Sequence, residues 1–142
     1  MKKVIIKIKG IQGLEGDQKE VMEFTTDGEM EIKNGVATLI YNEGQMLEGA
    51  KIKTRLEAAG NESAVIERTG TMSSRLVIKK GARNTCFYST PYGEMTIGIF
   101  GEEIKNNLNA SGGSLKLSYS IDSNSNLISK NEVQITVREI EV

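Results

Sequence analysis

The sequence predicts an all-β protein folded as an up-and-down antiparallel β-barrel of about 8–10 strands. Three observations carry this reading. Apolar and polar residues alternate with period two in segment after segment, the mark of strands with one wet face. Gly, Asn and Asp turn signals separate these segments roughly every 8 to 12 residues. Nearly every connection reads as a hairpin between sequence neighbours, and an open sheet of this many strands would leave unpaired edges and tend to curl shut.

The elements follow in order. In the first strand Val4, Ile6 and Ile8 point one way and Lys3, Lys7 and Lys9 the other, with Ile5 and Ile11 as apolar exceptions on the outer face. Lys7 and Lys9 also interrupt the apolar run that an export signal needs, so a cytoplasmic protein is expected. Residues 12–19 read as a Gly-rich acidic loop. From Glu20 to Lys33, the positions Met22, Phe24, Met30 and Ile32 keep one phase across Asp27-Gly28, which favours one long strand bent at Gly28 over a separate hairpin there. Asn34-Gly35 is the pair that a type I′ turn requires, and it leads into a strand over 36–42. After a loop at 44–49, residues 50–58 set Ile52, Thr54, Leu56 and Ala58 against Lys51, Lys53, Arg55 and Glu57. Gly60-Asn61 turns the chain into 64–70, where Ile66 and Arg68 face inward if Glu67 faces water. A short strand at 74–79 and a Lys80-Gly81 turn come next.

The hairpin over Arg83 to Gly101 holds the only proline and the only cysteine. Pro91 excludes the primed two-residue turns, which need positive φ, so the expectation is a type I turn over Thr90, Pro91, Tyr92 and Gly93 with a glycine bulge. That register pairs Thr90 with Glu94 and puts Phe87, Met95, Ile97 and Ile99 on one face, with Tyr88, Thr90, Glu94, Thr96 and Gly98 on the other. Residues 101–109 fit either one helical turn or a bulged continuation of the strand. Ser111 to Ser114 read as a flexible connector, and strands at 115–121 and 128–139 end the chain around a turn at 122–126.

Composition narrows the function. The 142 residues suit a single domain spanning 1–142, and 18 basic against 19 acidic side chains leave no global field to gather nucleic acid or an anionic membrane. No membrane span is expected. The absence of histidine removes the commonest general base and transition-metal ligand, and one cysteine allows neither a disulfide nor a thiolate cluster. No cofactor, metal site or catalytic residue is implied by any motif.

The Tyr41-Asn42-Glu43 strand end, the Ile66-Glu67-Arg68-Thr69-Gly70 segment, and Tyr88-Ser89-Thr90-Pro91-Tyr92-Gly93 followed by a Gly-Gly connector and Leu115-Lys116-Leu117-Ser118-Tyr119 carry a resemblance across essentially the whole chain. The sequence resembles the YwiB-like family of small uncharacterised bacterial proteins. The resemblance implies a calycin, or lipocalin-like, β-barrel in a cytoplasmic bacterial setting and no assigned reaction. Relatives of that fold mostly bind apolar or amphipathic small molecules inside the barrel, an analogy at the level of fold.

The candidate ligand-binding residues are Tyr41, Glu43, Arg68, Tyr88, Thr90 and Tyr92. An inward Arg68 needs a partner or a place at a barrel mouth, and Glu43 shares the inward phase of Tyr41; the two either close one barrel end as a salt bridge or meet a ligand. Tyr88, Thr90, Pro91 and Tyr92 either rim a pocket or serve hairpin packing and turn chemistry. Cys86 reads as a small inert residue, the five internal methionines as core filler or ligand lining, and Lys79, Lys80 and Arg83 as a solvated basic turn. Three functions are in competition: a non-catalytic barrel for a small apolar or amphipathic ligand; an interaction module such as a homodimer, using Ile5 and Ile11 or the Tyr92 turn; and an enzyme using Glu43, Arg68 and Tyr88.

Overall fold

The computed structural model of the protein describes residues 1–13, 18–43, 52–70, 73–90, 93–124 and 126–140, the side chains of 88–90 excepted. Ten strands are present: β1 (Lys2–Gly13), β2 (Glu20–Lys33), β3 (Val36–Asn42), β4 (Ile52–Ala59), β5 (Ser63–Gly70), β6 (Ser74–Lys79), β7 (Arg83–Thr90), β8 (Gly93–Asn109), β9 (Gly112–Ser123) and β10 (Asn126–Glu139). Each pairs antiparallel with the next, and β1 pairs with β10 to close the barrel. No helix occurs among the described residues, and so none is long and apolar enough to cross a membrane.

The alternating pattern becomes the inside and outside of the wall. Val4, Ile6 and Ile8 are buried against their β10 neighbours Val137 and Ile135. Ile52, Thr54, Leu56 and Ala58 face inward on β4, and Ala64 and Ile66 on β5. The core runs as one cluster around the barrel, with Leu39, Leu56, Ile78, Ile99 and Leu117 among its most buried members. Ile5 and Ile11 lie on the outer face but are half-buried rather than free.

β2 is one uninterrupted strand through Asp27-Gly28. A Cβ at Gly28 would stand 2.5 Å from the Ile40 carbonyl oxygen and 2.7 Å from Ile6 Cδ1, so close approach of β1 and β3 accounts for the glycine. Asn34 and Gly35 have φ of 53° and 77°, the positive pair of a type I′ turn. Residues 101–109 continue β8 as a strand, with a register shift between Gly101 and Glu103 and Ile104 buried. At this bulge the Gly101 carbonyl accepts from Gly81 N–H at 2.8 Å, and Gly101 N–H donates to the Ala82 carbonyl at 3.2 Å.

Two expectations are corrected. The β7–β8 hairpin pairs Thr90 with Gly93 and Ser89 with Glu94, one residue from the register that a type I turn with a bulge would impose. Because side chains alternate with period two, this slip moves Phe87 opposite Thr96 and out into solvent, 66% exposed, while Cys86 takes the inward place beside Ile97. Met95 is 44% exposed at the strand start, and Ile97 and Ile99 remain buried. Pro91 and Tyr92, the centre of the turn, lie outside the described residues. The second correction concerns Gly112 and Gly113, which are paired strand residues and not a flexible connector. Both have positive φ and lie so close to the Val137 and Asn107 carbonyls that a side chain would collide.

One seam differs from the rest. β6 and β7 share the ladder pair Ser74 and Tyr88 and, beyond the strands' lower ends, the bridge between Lys79 and Ala82. Between these points Val77 N–H donates to the Cys86 sulfur at 3.4 Å, so the buried thiol occupies a place where a ladder carbonyl would otherwise accept.

The up-and-down order gives the barrel two unlike ends. At one, the turns at 34–35, 60–62, 80–82 and 110–111 are tight, and the β4–β5 turn is tied across to β8: Asn61 Oδ1 accepts from Asn106 N–H at 2.8 Å and Asn106 Nδ2 donates to the Gly60 carbonyl at 3.2 Å. Lys80 N–H adds a bond to the Glu62 carbonyl at 3.0 Å. These bonds draw the tight turns together at that end. The opposite end is the mouth.

Candidate binding site at the barrel mouth

Three adjacent strands bring the central residues of the site to one level. Tyr41 on β3 is opposite Thr54 on β4, which is in turn opposite Arg68 on β5. All three belong to the inward phase, and Tyr41 and Thr54 are buried. Two residues beyond Tyr41 and therefore on the same side, Glu43 is anchored by its backbone N–H to the Ile52 carbonyl at 2.8 Å. Its carboxylate then meets Arg68, whose Nε donates to Glu43 Oε2 at 3.1 Å. The pair is screened from water, with Arg68 and Glu43 side chains 28% and 16% exposed.

The electrostatics follow from this screening. Burial, and then the nearby Glu43 carboxylate, push Tyr41 far above the ordinary tyrosine range, so it is a neutral phenol. For Arg68, burial opposes the charge, but Glu43, Tyr41 and Tyr119 outweigh it and the net shift is upward. The site therefore holds a charged ion pair beside a neutral phenol. The Tyr41 ring is itself positioned by Phe24, 6.4 Å away between centroids and tilted by 51°. Thr54 Oγ1 is different: it is buried between the two and has no hydrogen-bond partner among the described residues.

Above this level lies a pocket of about 490 Å³, open to solvent and bordered by Glu43 and Arg68. Its wall is largely apolar, built from Met22, Ile52, Leu76, Met95, Ile97 and Ile121, with Ile128 at the β10 start. On the far side from the ion pair, Gln12, Ser129 and Asn131 give uncharged polar contacts, and Asn131 Nδ2 donates to Ser129 Oγ at 3.1 Å. Tyr119, opposite Asn131 across β9 and β10, completes the lining between the two polar groups.

Of the six sequence-derived site residues, Tyr41, Glu43 and Arg68 come together. The side chains of Tyr88 and Thr90, and the whole of Tyr92, lie outside the described residues; the Tyr88 backbone is opposite Ser74 and Met95, two pocket residues. Sequence reasoning missed Thr54, Tyr119, Ser129, Asn131 and Gln12 as members of this level. The alternation does mark Thr54 and Tyr119 as inward, but only the barrel register shows that they stand beside Arg68. Among the described residues no group of three or more His, Cys, Asp or Glu could hold a metal ion. Chemically, the pocket offers an apolar wall, uncharged polar groups and a fixed pair of opposite charges.

The crystal structure of the YwiB protein from Bacillus subtilis superposes on 99% of this chain and 93% of its own with a TM-score of 0.84, at 20% sequence identity. That likeness shows a shared fold. No curated protein matches the chain. The family model described as a domain of unknown function, DUF1934, matches residues 6–135, and the chain belongs to that family.

Proposed function

We propose that the protein is a non-catalytic barrel that binds a small apolar or amphipathic molecule at its mouth. The observation that carries this reading is the pocket of about 490 Å³, whose largely apolar wall surrounds one screened ion pair. Its volume is in the range of about 300–1,000 Å³ typical of small-molecule sites, and a mostly apolar lining with a few placed polar groups is the usual composition. The deeper interior is filled by the core, so the ligand sits in the mouth and not along the barrel axis. Glu43 is engaged by Arg68 in a screened ion pair, which favours a binding role over acid–base chemistry. A cytoplasmic setting agrees with the single unpaired cysteine.

Binding of N-phenyl-1-naphthylamine, an uncharged fluorescent probe, tests the reading. Saturable enhancement is expected in the wild type and its loss in Met95→Trp, where an indole at a rim position fills the mouth. Absence of saturable binding, or binding that Met95→Trp leaves intact, refutes the site. A second reading, self-association, is favoured by exposed Val21, Phe87 and Leu127, 60%, 66% and 48% exposed. Sedimentation equilibrium showing a monomer counts against it.

A further inference from the structure

The polar side of the mouth contains a charge arrangement that says which head group the ligand carries. A lone inward arginine in an apolar pocket would recruit a carboxylate or phosphate, because its fork of donors matches those anions. Here the carboxylate is already supplied by the chain. Glu43 Oε2 accepts from Arg68 Nε at 3.1 Å, and the pair is screened from water. The remaining polar groups around the pocket, Gln12, Ser74, Tyr119, Ser129 and Asn131, bring no ionised side chain. Among the described lining residues the charges thus sum to zero, while one spot is strongly polar.

We propose, resting on the mouth as a ligand site, that Glu43 is a built-in counter-ion that makes the pocket select amphiphiles with an uncharged, hydrogen-bonding head, such as an amide or alcohol, over carboxylate-headed ones. A ligand carboxylate reaching Arg68 would stand beside the Glu43 carboxylate at a place only 16% exposed, where like charges repel more strongly than in water. It would have to evict Glu43 or bind against it. An amide or alcohol meets no such opposition, since it can donate to Glu43 and accept from the other guanidinium N–H groups without adding charge.

Displacement of bound N-phenyl-1-naphthylamine by decanol, decanamide and decanoate, all below their micelle concentrations, tests the proposal on the full chain. In the wild type the two neutral ligands should displace the probe at least about tenfold more tightly than decanoate. In Glu43→Gln, which leaves Arg68 without its anion, decanoate should gain at least about tenfold while decanamide changes by less than about threefold. Arg68→Met/Glu43→Gln should lose the gain for decanoate. A purely structural Glu43 would instead weaken all three ligands together. Decanoate binding to the wild type as tightly as decanamide overturns the proposal without any substitution, and so does an unchanged decanoate affinity in folded Glu43→Gln. If the probe itself fails to bind the wild type, the mouth as a ligand site falls; if it binds without discriminating head groups, only the counter-ion role falls.

Discussion

Replacing Thr54 by valine should make this protein more stable, a sign opposite to that of most core substitutions. Thr54 is 0% exposed and its Oγ1 has no hydrogen-bond partner among the described residues. A buried hydroxyl left unsatisfied costs about 1–3 kcal/mol. Valine has nearly the same shape, is equally β-branched, and exchanges that hydroxyl for a methyl group that needs no partner. The gain should therefore be about 1–3 kcal/mol. For 142 residues the unfolding entropy is roughly 0.3 kcal/mol per degree, so the melting temperature should rise by about 3–10 °C. Thermal and urea unfolding followed by circular dichroism measure this, with an unchanged urea m-value confirming that the native and unfolded states are otherwise comparable. A loss of about 1 kcal/mol or more would refute the reasoning, because it would mean that the hydroxyl makes a bond that the valine breaks.

Two further outcomes follow from charges. Arg68→Met should destabilise by about 1–3 kcal/mol, below the full cost of breaking a deeply buried pair because both partners keep some solvent, and Arg68→Met/Glu43→Gln should recover most of the loss; a urea double-mutant cycle reads the coupling, and additive effects would argue against a functioning ion pair. On the outer wall Arg83 donates to Asp122 from Nε at 3.0 Å and Nη2 at 2.7 Å, and this bonding, opposed by slight burial and aided by the guanidinium charge, holds the Asp122 carboxyl below its ordinary range. Since the folded value is the lower one, the contribution is present above about pH 4 and is lost as pH falls through the folded value. Asp122→Asn should accordingly be less stable than wild type at neutral pH, with the gap closing in acid; a gap that is constant from pH 7 to strongly acid conditions would contradict the assignment.

What the sequence by itself determined is which residues face in. Alternation is local: Val4, Ile6 and Ile8, or Ile52, Leu56 and Ala58, take the same side of their strand whatever the neighbours are, and Asn34-Gly35 dictates its turn through backbone conformations that few other pairs adopt. The pairing of Arg68 with Glu43 was within reach for the same reason, as both are polar residues in an inward phase. Tertiary structure decided everything that depends on how far one strand is displaced along the next. The β7–β8 register is one such case, where a single-residue slip exchanged Phe87 for Cys86 on the inner face. The strand pairing of Gly112 and Gly113 is another, since it rests on carbonyls supplied by β8 and β10. The level shared by Tyr41, Thr54 and Arg68, and the arrival of Tyr119 and Asn131 at the same mouth, are sums of registers around a closed barrel. Hydrophobic period two is blind to a shift of two residues, so it assigns a side chain to the interior but not to a height within it.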